Sequence, residues 1–554
     1  MGLKKNIERL SSARRRGFSA STDIPREWLR IPVRKTEAAR RIDWMLVIVR
    51  AAFVVIIVRL LGLSLNFDFL KGGRESRAPS AAGFSRPDIT DRNGEPLAVS
   101  LPTFDLYVNQ NEKEVVAAED SAVKLVAIMP ELDYAEVLSK LRSKKFAYLK
   151  RQVAPHVKEK ILAIGEPGLQ FQARDSRVYP QDKLFAHIVG TTDVDNRGTG
   201  GIEMYIDAKG LAAAGGQVRL SVDLYIQNAL HQNLSAAMRE YGAKSAAGIV
   251  MDVKTGEVLG LVSLPDFWGA EAAKVAKNPL YSNHATLDTY EIGSVMKIFN
   301  TALAMESRYP EGKTFDVSRP FAIGGFRVRD SHVRKNRINM REAFVFSSNI
   351  ASATIARDLG MARQTEFFRR MNFFSRMGFE LPECGMPMFP KRWNDVINAT
   401  AAYGYGISVS LLHTIVAVNA IINDGMYVEP TILLRDRDSL FKSYQVVREE
   451  TSAKMKELMK LVVTEGTGLR ASLSSIKTGG KTGTAHKLVD GRYDVRRQRT
   501  FFVSVFPIDR PKYTMLVMLD EAANGTCNDA ACTAVPVSAK IVEDIGPILN
   551  LDLK

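Results

Sequence analysis

The sequence predicts an α+β protein of several domains in which distant parts of the chain contribute strands to one sheet. Its 554 residues exceed what a single hydrophobic core normally accommodates. Apolar runs typical of buried strands occur at 246–253, 256–264, 500–507 and 513–520. Helical patterns occupy most of the chain between the second and third of these runs. Strands at both ends of a helical insert indicate a sheet assembled from distant segments.

The positive charge of the chain is concentrated at its N-terminus. Residues 1–41 carry twelve Lys/Arg and four Asp/Glu, about half of the net charge of +15. The remainder is spread thinly, and no basic stretch is interleaved with aromatic residues, so the charge does not predict nucleic-acid binding. We interpret residues 1–41 as a basic tail beside a membrane.

Residues 42–66 are predicted to form a single transmembrane anchor. The segment 44–65 is mostly apolar and, at ~1.5 Å per residue, long enough to span a bilayer. Basic residues before it place the N-terminus in the cytoplasm and the bulk of the chain outside. A cleaved signal peptide is the alternative, but the nearest small-residue cleavage site, at 80–82, lies well beyond the apolar run. Arg50 within the run indicates either a membrane partner or a tilted helix whose arginine reaches the interface.

The rest of the chain is predicted to form two domains, 67–218 and 219–554. A Gly/Ser/Pro-rich linker at 71–84 is followed by short strands alternating with helical patterns up to residue 218. A strand at 217–222 enters the second domain, which continues with a helix over 225–241 and ends with a helix over 536–549.

Three cysteines are present, at positions 384, 527 and 532, and no Cys/His pattern has metal-ligand spacing, so the sequence does not predict a metal site. Cys527 and Cys532 lie close together in a segment predicted outside the membrane. A disulfide and two unpaired thiols both fit this spacing.

The pattern Ser-x-x-Lys, which can supply a nucleophile and its base, occurs three times. The pairs are Ser294/Lys297, Ser439/Lys442 and Ser474/Lys477. Only the first stands at the head of an apolar helical pattern, where residues i and i+3 share one face. A lysine buried beside a second cation has a lowered pKa and can take the proton of a serine hydroxyl. The other two pairs lie in a charged stretch and in a Ser/Gly-rich segment, so we favour Ser294.

Two further motifs follow in the chain. Ser347-Ser348-Asn349 heads an amphipathic helix, where helix capping is the alternative role. Lys481-Thr482-Gly483-Thr484 lies in GGKTGTA, whose small residues would let a substrate backbone add to the strand edge. A second Lys-Thr-Gly, at 477–479, is interpreted as the approach to this strand. The three motifs stand 53 and then 134 residues apart, and the combination is far more specific than any one of them.

In this order the motifs resemble those of the penicillin-recognising enzymes. RPDITDRNG at 86–94 and the stretch 177–207 resemble the pedestal of class B penicillin-binding proteins, and LSVDLYIQ, GYGISVS and YTMLVMLDE resemble their transpeptidase domain. The resemblance implies an elongated α+β pedestal, then an antiparallel sheet sandwiched by helices, with an all-helical subdomain. The Ser-Ser-Asn form is similar to the cell-division branch, since the elongation branch usually carries Ser-Cys-Asp.

The resemblance implies a serine D,D-transpeptidase that cross-links peptidoglycan stem peptides in septal wall synthesis, without a cofactor. β-Lactams would be inhibitors, and a polytopic (FtsW-like) glycosyltransferase and other division proteins would be partners. The resemblance implies that Ser294 is the nucleophile, Lys297 the base and Ser347 a proton relay. Asn349 would contact the peptide amide, Lys481 would supply positive charge, and Thr482, Gly483 and Thr484 would bind the substrate. The backbone N–H groups of Ser294 and Thr484 would form the oxyanion hole.

Several residues depart from the family pattern, although none removes a catalytic group. They are Ile292, Val295, Phe501 and Ser504. The alternatives left open are an elongation-branch transpeptidase, a D,D-carboxypeptidase or β-lactamase, and a catalytically silent division scaffold. The apparent lack of the deacylating glutamate motif of class A enzymes argues against a β-lactamase.

Overall fold

The computed structural model describes residues 49–51, 53–54, 86–213, 216–267, 271, 277–331, 335–436 and 441–551. The chain divides into two compact units, residues 1–82 and 83–554. The predicted basic tail, and all of the predicted anchor except the helical residues 49–51 and 53–54, lie outside the described residues. Among the residues that are described, no helix is both long and apolar enough to cross a bilayer.

The N-terminal part of the second unit is an α+β region built on a five-stranded sheet. Its strands run β3-β2-β1-β5, with β4 also paired to β2. A separate hydrophobic cluster that includes Leu106, Leu125 and Leu141 forms its core. The strands are β1 (Asp88–Thr90), β2 (Pro96–Val108), β3 (Ala147–Val153), β4 (Leu169–Val178) and β5 (Gln217–Arg219). The helices are α1 (Ala118–Ile128), α2 (Tyr134–Arg142), α3 (Pro155–Leu162), α4 (Ala186–Val189) and α5 (Gly201–Ala208).

A buried ion cluster ties the two ends of this region together. The carboxylate of Glu203, which is fully buried, accepts hydrogen bonds from Arg86 and Arg177. Arg86 also bonds Asp207. Removing one partner of a buried ion pair lowers the stability of a protein by about 3–5 kcal/mol, because the other charge is left buried and unpaired. Each residue of this cluster is therefore needed to compensate the charges of the others. The two family-like segments, around 86 and 177–207, therefore meet in space.

The C-terminal part contains an antiparallel sheet of order β14-β15-β16-β6-β7, which confirms that distant segments share one sheet. One face packs on α6 and α14 through a cluster that includes Leu230, Phe502 and Ile541, and the other packs on the helical insert through Ile249 and Leu516. The elements are α6 (Leu224–Tyr241), β6 (Ser245–Asp252), β7 (Val258–Leu264), β14 (Gly479–Val489), β15 (Arg492–Phe506), β16 (Tyr513–Asp520) and α14 (Ala534–Ile545).

The insert between β7 and β14 is mainly helical, but the expectation of an all-helical subdomain is wrong. Three two-stranded sheets form there, each from three-residue strands too short to show a periodic pattern in the sequence. They pair β8 (Thr314–Asp316) with β11 (Arg337–Asn339), β9 (Phe321–Ile323) with β10 (Phe326–Val328), and β12 (Met426–Val428) with β13 (Ser443–Gln445). The helices are α7 (Lys297–Glu306), α8 (Met340–Val345), α9 (Asn349–Leu359), α10 (Met361–Arg370), α11 (Asp395–Ala401), α12 (Leu411–Ile422) and α13 (Glu449–Thr464).

The predicted strand at 217–222 is shorter than expected and joins both regions. Gln217–Arg219 pairs in parallel with β1, whereas Leu220 bridges to Leu433 of the C-terminal part.

The two alternatives for the cysteines are also resolved, since Cys527 and Cys532 form a disulfide and Cys384 is a buried free thiol.

Candidate active site

Ser294 lies in a tight turn where the insert meets the sheet. The residues Gly293–Met296 form one 3₁₀ turn and the α-helix begins only at Lys297, so the helix expected to start at the serine starts three residues later. Gly293 has a φ of +52°, and a Cβ at this position would lie 2.4 Å from the carbonyl oxygen of Thr484. Only glycine permits this approach, which places Ser294 beside the Lys-Thr-Gly strand.

The buried amine of Lys297 joins the first two motifs. Its Nζ donates to Ser294 Oγ at 2.5 Å and to Asn349 Oδ1 at 2.6 Å. It also contacts Ser347, at 3.1 Å from the carbonyl oxygen and 3.2 Å from Oγ. The predicted nucleophile, base and second-motif residues are thus within hydrogen-bond reach of one atom.

Burial lowers the pKa of Lys297 well below its usual value, and the positive charge of Lys481 lowers it further, while Asp330 opposes the shift. Burial also lowers the pKa of Lys481 to about 7. Both side chains are fully buried. Because Lys297 bears both burial and repulsion from Lys481, it is the lysine better suited to accept a proton from Ser294.

Ser347 connects the second motif to the third. Its Oγ accepts from Lys481 Nζ at 3.0 Å as well as from Lys297. Its φ of +62° is unusual for a residue with a side chain, and such strain persists only where surrounding contacts enforce it. The hydroxyl therefore sits between the two amines, where it can pass a proton.

The third motif lies on β14, an edge strand of the sheet that pairs with β15 on one side. Gly483 also has a packing role that the sequence did not predict. A Cβ there would lie 2.7 Å from the carbonyl oxygen of Ile292 and 2.8 Å from the side chain of Val295. Glycine is needed to pack β14 against the Ser294 turn.

The hydroxyls of the two motif threonines have protein partners that the sequence did not single out. Thr482 Oγ1 lies 2.7 Å from Thr467 Oγ1, and Thr484 Oγ1 accepts from the N–H of Ala530 at 3.2 Å. Thr467 lies in the turn that follows α13.

Within Ser347-Ser348-Asn349, helix capping and contact with Lys297 belong to different residues. Ser348 is the N-cap of α9 and accepts from the N–H of Ala351 at 3.1 Å. Ser347 and Asn349 on either side of it contact Lys297. Capping by the middle residue thus presents its two neighbours to the site.

Asp330 is a site residue that sequence reasoning missed. Its Oδ1 accepts from the N–H groups of Asn349 at 2.6 Å and Ile350 at 3.0 Å, and its Oδ2 accepts from Ser348 Oγ at 2.6 Å. It stands 18 residues before Ser348, separated from the motif by β11 and α8, so no local pattern marks it. These three bonds fix the backbone that carries Ser347 and Asn349.

Replacing Asp330 by asparagine is expected to lower the second-order rate constant of acylation by penicillin about 10- to 100-fold, the effect of losing one or two hydrogen bonds to a charged group. Asp316→Asn is the matched control, since that exposed carboxylate bonds only its neighbour Ser318 among the described residues. Stopped-flow fluorescence with a labelled penicillin measures both. An unchanged rate for Asp330→Asn would show that the carboxylate does not position the motif.

In the two other Ser-x-x-Lys pairs, the lysine is exposed instead of buried. Lys477 is 73% exposed and pairs with Asp509 at 2.9 Å. Ser474 is exposed. Ser439 lies outside the described residues, and its partner Lys442 is exposed.

A serine hydroxyl held by a buried amine, beside the edge strand of a sheet, defines a serine acyl-transfer site. Two family models match the chain: the penicillin binding protein transpeptidase domain over residues 246–545 and the penicillin-binding protein dimerisation domain over residues 83–219. The chain belongs to the penicillin-binding protein family.

Similar proteins are peptidoglycan D,D-transpeptidases by name. The chain is 31% identical over 503 residues to the probable peptidoglycan D,D-transpeptidase FtsI of Caulobacter vibrioides, covering 86% of this chain and 85% of that protein. It is 24% identical to peptidoglycan D,D-transpeptidase FtsI of Escherichia coli K12, covering 94% of each. Among solved structures, penicillin-binding protein 3 of Mycobacterium tuberculosis in complex with aztreonam matches with a TM-score of 0.67 and 23% identity, covering 85% of this chain and 97% of that one. This last match supports the fold.

Proposed function

We propose that the chain is a serine D,D-transpeptidase that cross-links peptidoglycan stem peptides through an acyl-enzyme on Ser294. The observation that carries the proposal is the fully buried Lys297 amine, 2.5 Å from Ser294 Oγ and bonded to Asn349 of the second motif. An amine desolvated in this way has a lowered pKa and is a competent base for a hydroxyl.

In the first half-reaction, Ser294 Oγ attacks the carbonyl carbon of the penultimate D-alanine while Lys297 takes the hydroxyl proton. The tetrahedral intermediate then collapses, the bond to the nitrogen of the terminal D-alanine breaks, and that nitrogen receives a proton. Ser347 lies between the two amines and relays this proton. The products are free D-alanine and an ester between the donor peptide and Ser294.

In the second half-reaction, the amine of another stem peptide attacks the ester carbonyl. Its proton returns through Ser347 and Lys297 to Ser294 Oγ, which leaves as the new amide forms. Attack by water instead of the amine gives hydrolysis, the carboxypeptidase outcome. The acceptor amine must therefore reach the ester before water does.

Substrate binding is assigned to the free edge of β14 and to its polar side chains. A peptide adding to this edge forms main-chain hydrogen bonds along the strand. Lys481 supplies positive charge, and Thr482 and Thr484 supply hydroxyls for the terminal carboxylate. Asn349 contacts the peptide amide, and the N–H groups of Ser294 and Thr484 stabilise the oxyanion, a role in which one donor is worth about 2.7–4 kcal/mol.

The proposal is tested by incubating the purified full-length chain with a penicillin and locating the adduct by intact-protein and peptide mass spectrometry. We expect one stable adduct on Ser294. A donor stem pentapeptide and an amine acceptor should then give free D-alanine and cross-linked product in comparable amounts.

Other outcomes separate the alternatives. Release of D-alanine without cross-linked product would indicate a D,D-carboxypeptidase, and rapid loss of the penicillin adduct would indicate a β-lactamase. No adduct on folded protein would favour the silent scaffold. An adduct on Ser439 or Ser474 would mean that the wrong motif was chosen.

We further propose that residues 42–66 anchor the chain in the cytoplasmic membrane, with the N-terminus inside and the catalytic part outside, at the division septum. The apolar sequence of this segment supports the anchor, and the disulfide suits an oxidising compartment outside the cytoplasm. The FtsI names of similar proteins and the Ser-Ser-Asn motif favour division and partners such as an FtsW-like glycosyltransferase. Imaging of a fluorescent fusion should show midcell signal, whereas lateral-wall signal would favour the elongation branch.

A further inference from the structure

A short disulfide-closed loop touches the candidate substrate strand. Cys527 and Cys532, five residues apart in sequence, are bonded to each other between β16 and α14. Within this loop, the N–H of Ala530 donates the 3.2 Å hydrogen bond to Thr484 Oγ1. The loop therefore contacts the residue to which the proposed function assigns the substrate carboxylate.

The loop is tied internally and to the sheet. Asp529 Oδ1 accepts from the N–H of Ala531 at 2.9 Å, and the carbonyl oxygen of Asp529 accepts from the Thr533 hydroxyl at 2.6 Å. The same Thr533 hydroxyl lies 3.0 Å from Thr500 Oγ1, and Thr500 is the residue of β15 paired with Thr484. These contacts attach the loop to β15 through Asp529 and Thr533, and the disulfide closes the same segment.

The contact to Ala530 has a chemical consequence for Thr484. A hydroxyl has one proton to donate and two lone pairs that accept. Because the N–H of Ala530 occupies an accepting position, the hydroxyl proton must point in another direction. Among the described residues, Ala530 is the hydrogen-bond partner found for this hydroxyl, so its proton remains for an anion at the edge of β14.

The disulfide has more effect on this local geometry than on the unfolded chain. In the chain-entropy account, the stabilisation from a disulfide increases with the length of the loop that it closes. With a sequence separation of only five residues, Cys527–Cys532 restricts the unfolded chain less than a disulfide that closes a long loop would. Its main effect is on the conformation of the four residues between the sulfurs, which include Ala530.

We propose that the Cys527–Cys532 disulfide is a positioning device for substrate recognition. It holds the Ala530 N–H so that the Thr484 hydroxyl directs its proton to the terminal carboxylate of a D-alanyl peptide or a penicillin. The inference rests on the proposed function, because it assigns the disulfide to the carboxylate subsite of that reaction. A positioning role predicts a loss specific to ligands that carry the carboxylate.

The test compares the full-length wild type with the Cys527→Ser/Cys532→Ser double variant. The acylation rate constant is measured for benzylpenicillin and for its methyl ester, whose carboxylate is blocked. We expect about a tenfold fall for benzylpenicillin, the scale of one charge-assisted hydrogen bond, and no change for the ester. Cys384 does not interfere, because the thiol is buried and burial raises its pKa to about 12.

A double-mutant cycle with Thr484→Val gives the second readout. In the Thr484→Val background there is no hydroxyl to orient, so removing the disulfide should cause no further loss. Thr484→Ser, which keeps the hydroxyl, should retain the dependence on the disulfide. If the serine double variant does not fold, Ala530→Pro replaces it in the test. This variant removes the N–H and keeps both cysteines, and it should show the same tenfold fall.

Two results would overturn the inference. One is an equal loss for penicillin and its ester that persists in the Thr484→Val background, which would make the disulfide a general stabiliser of the fold. The other is unchanged acylation in both the double variant and Ala530→Pro. A wild-type chain that is not acylated on Ser294 would instead refute the proposed function, and this inference with it, so the two failures are distinguishable.

Discussion

Replacing Ser294 by alanine is expected to abolish acylation by penicillin and to reduce cross-linking at least 10⁴-fold, roughly the lower range for removing a catalytic nucleophile. The variant keeps the turn and the contacts of Lys297 to Ser347 and Asn349, and it loses only the 2.5 Å bond to the hydroxyl. We expect the fold to be retained, because the substitution deletes one oxygen atom. Gel fluorescence with a labelled penicillin and intact-protein mass measure the adduct.

The chain supplies its own matched control for this experiment. Ser474→Ala alters the serine of a second Ser-x-x-Lys pair, which is exposed and has no buried lysine beside it. This variant should be acylated at the wild-type rate. Full labelling of Ser294→Ala, or loss of labelling in Ser474→Ala, would contradict the assignment of the nucleophile.

Replacing Lys297 by methionine is expected to lower the acylation rate constant about 10³-fold, within the range for loss of a general base. Methionine fills similar space in the buried site but cannot accept a proton. Lys477→Met is the control, because Lys477 forms an exposed ion pair with Asp509 of the kind that contributes about 0–1 kcal/mol. Thermal melting of both variants verifies folding.

The pH dependence of acylation distinguishes a base from a lysine that only holds its neighbours in place. A protonated amine cannot accept a proton, so the wild-type rate should rise as pH increases through the lowered pKa of Lys297. The rise should occur well below pH 10.5, the usual pKa of a lysine, and it should be absent in Lys297→Met. Because burial lowers the pKa of Lys481 to about 7, penicillin binding should weaken as pH rises further and that charge is lost. A wild-type rate that is flat from pH 5 to 9 would contradict the role of Lys297 as base.

The burial of Lys297 also predicts how the stability of the folded chain changes with pH. Burial lowers the pKa of Lys297 in the folded chain, so the unfolded chain binds more protons at pH values between the folded pKa and 10.5. Burying this group therefore costs no stability above pH 10.5, and the cost grows as pH falls from there to the folded pKa. The active site thus carries a stability cost at neutral pH, as expected for a group arranged for catalysis.

The sequence predicted those features that depend on residues close together in the chain. The apolar helical pattern that follows Ser294 selected it among three Ser-x-x-Lys pairs. The structure brings Lys297, Ser347, Asn349 and Lys481 together around it. The long helix predicted over 225–241 is observed as Leu224–Tyr241, with Asp223 as its N-cap. Such features depend on neighbours three or four residues apart, which a sequence displays directly.

Features that depend on distant contacts were missed or misassigned. Asp330 and Thr467 have no sequence signal of their own, because their partners lie far along the chain in separate elements. The three-residue strands of the insert are too short for a periodic pattern. The sequence also did not predict that Gly483 is required by its close approach to Ile292 and Val295.

The sequence by itself identified the candidate residues for the chemistry, their order, and the assembly of the sheet from distant segments. Only the tertiary structure decided that Lys297 and Lys481 are fully buried on opposite sides of one serine hydroxyl, and that a disulfide loop contacts Thr484. The physical reason is that residue type and local periodicity are written along the chain. Burial and the approach of charges, which set a pKa, exist only after segments more than a hundred residues apart have packed together.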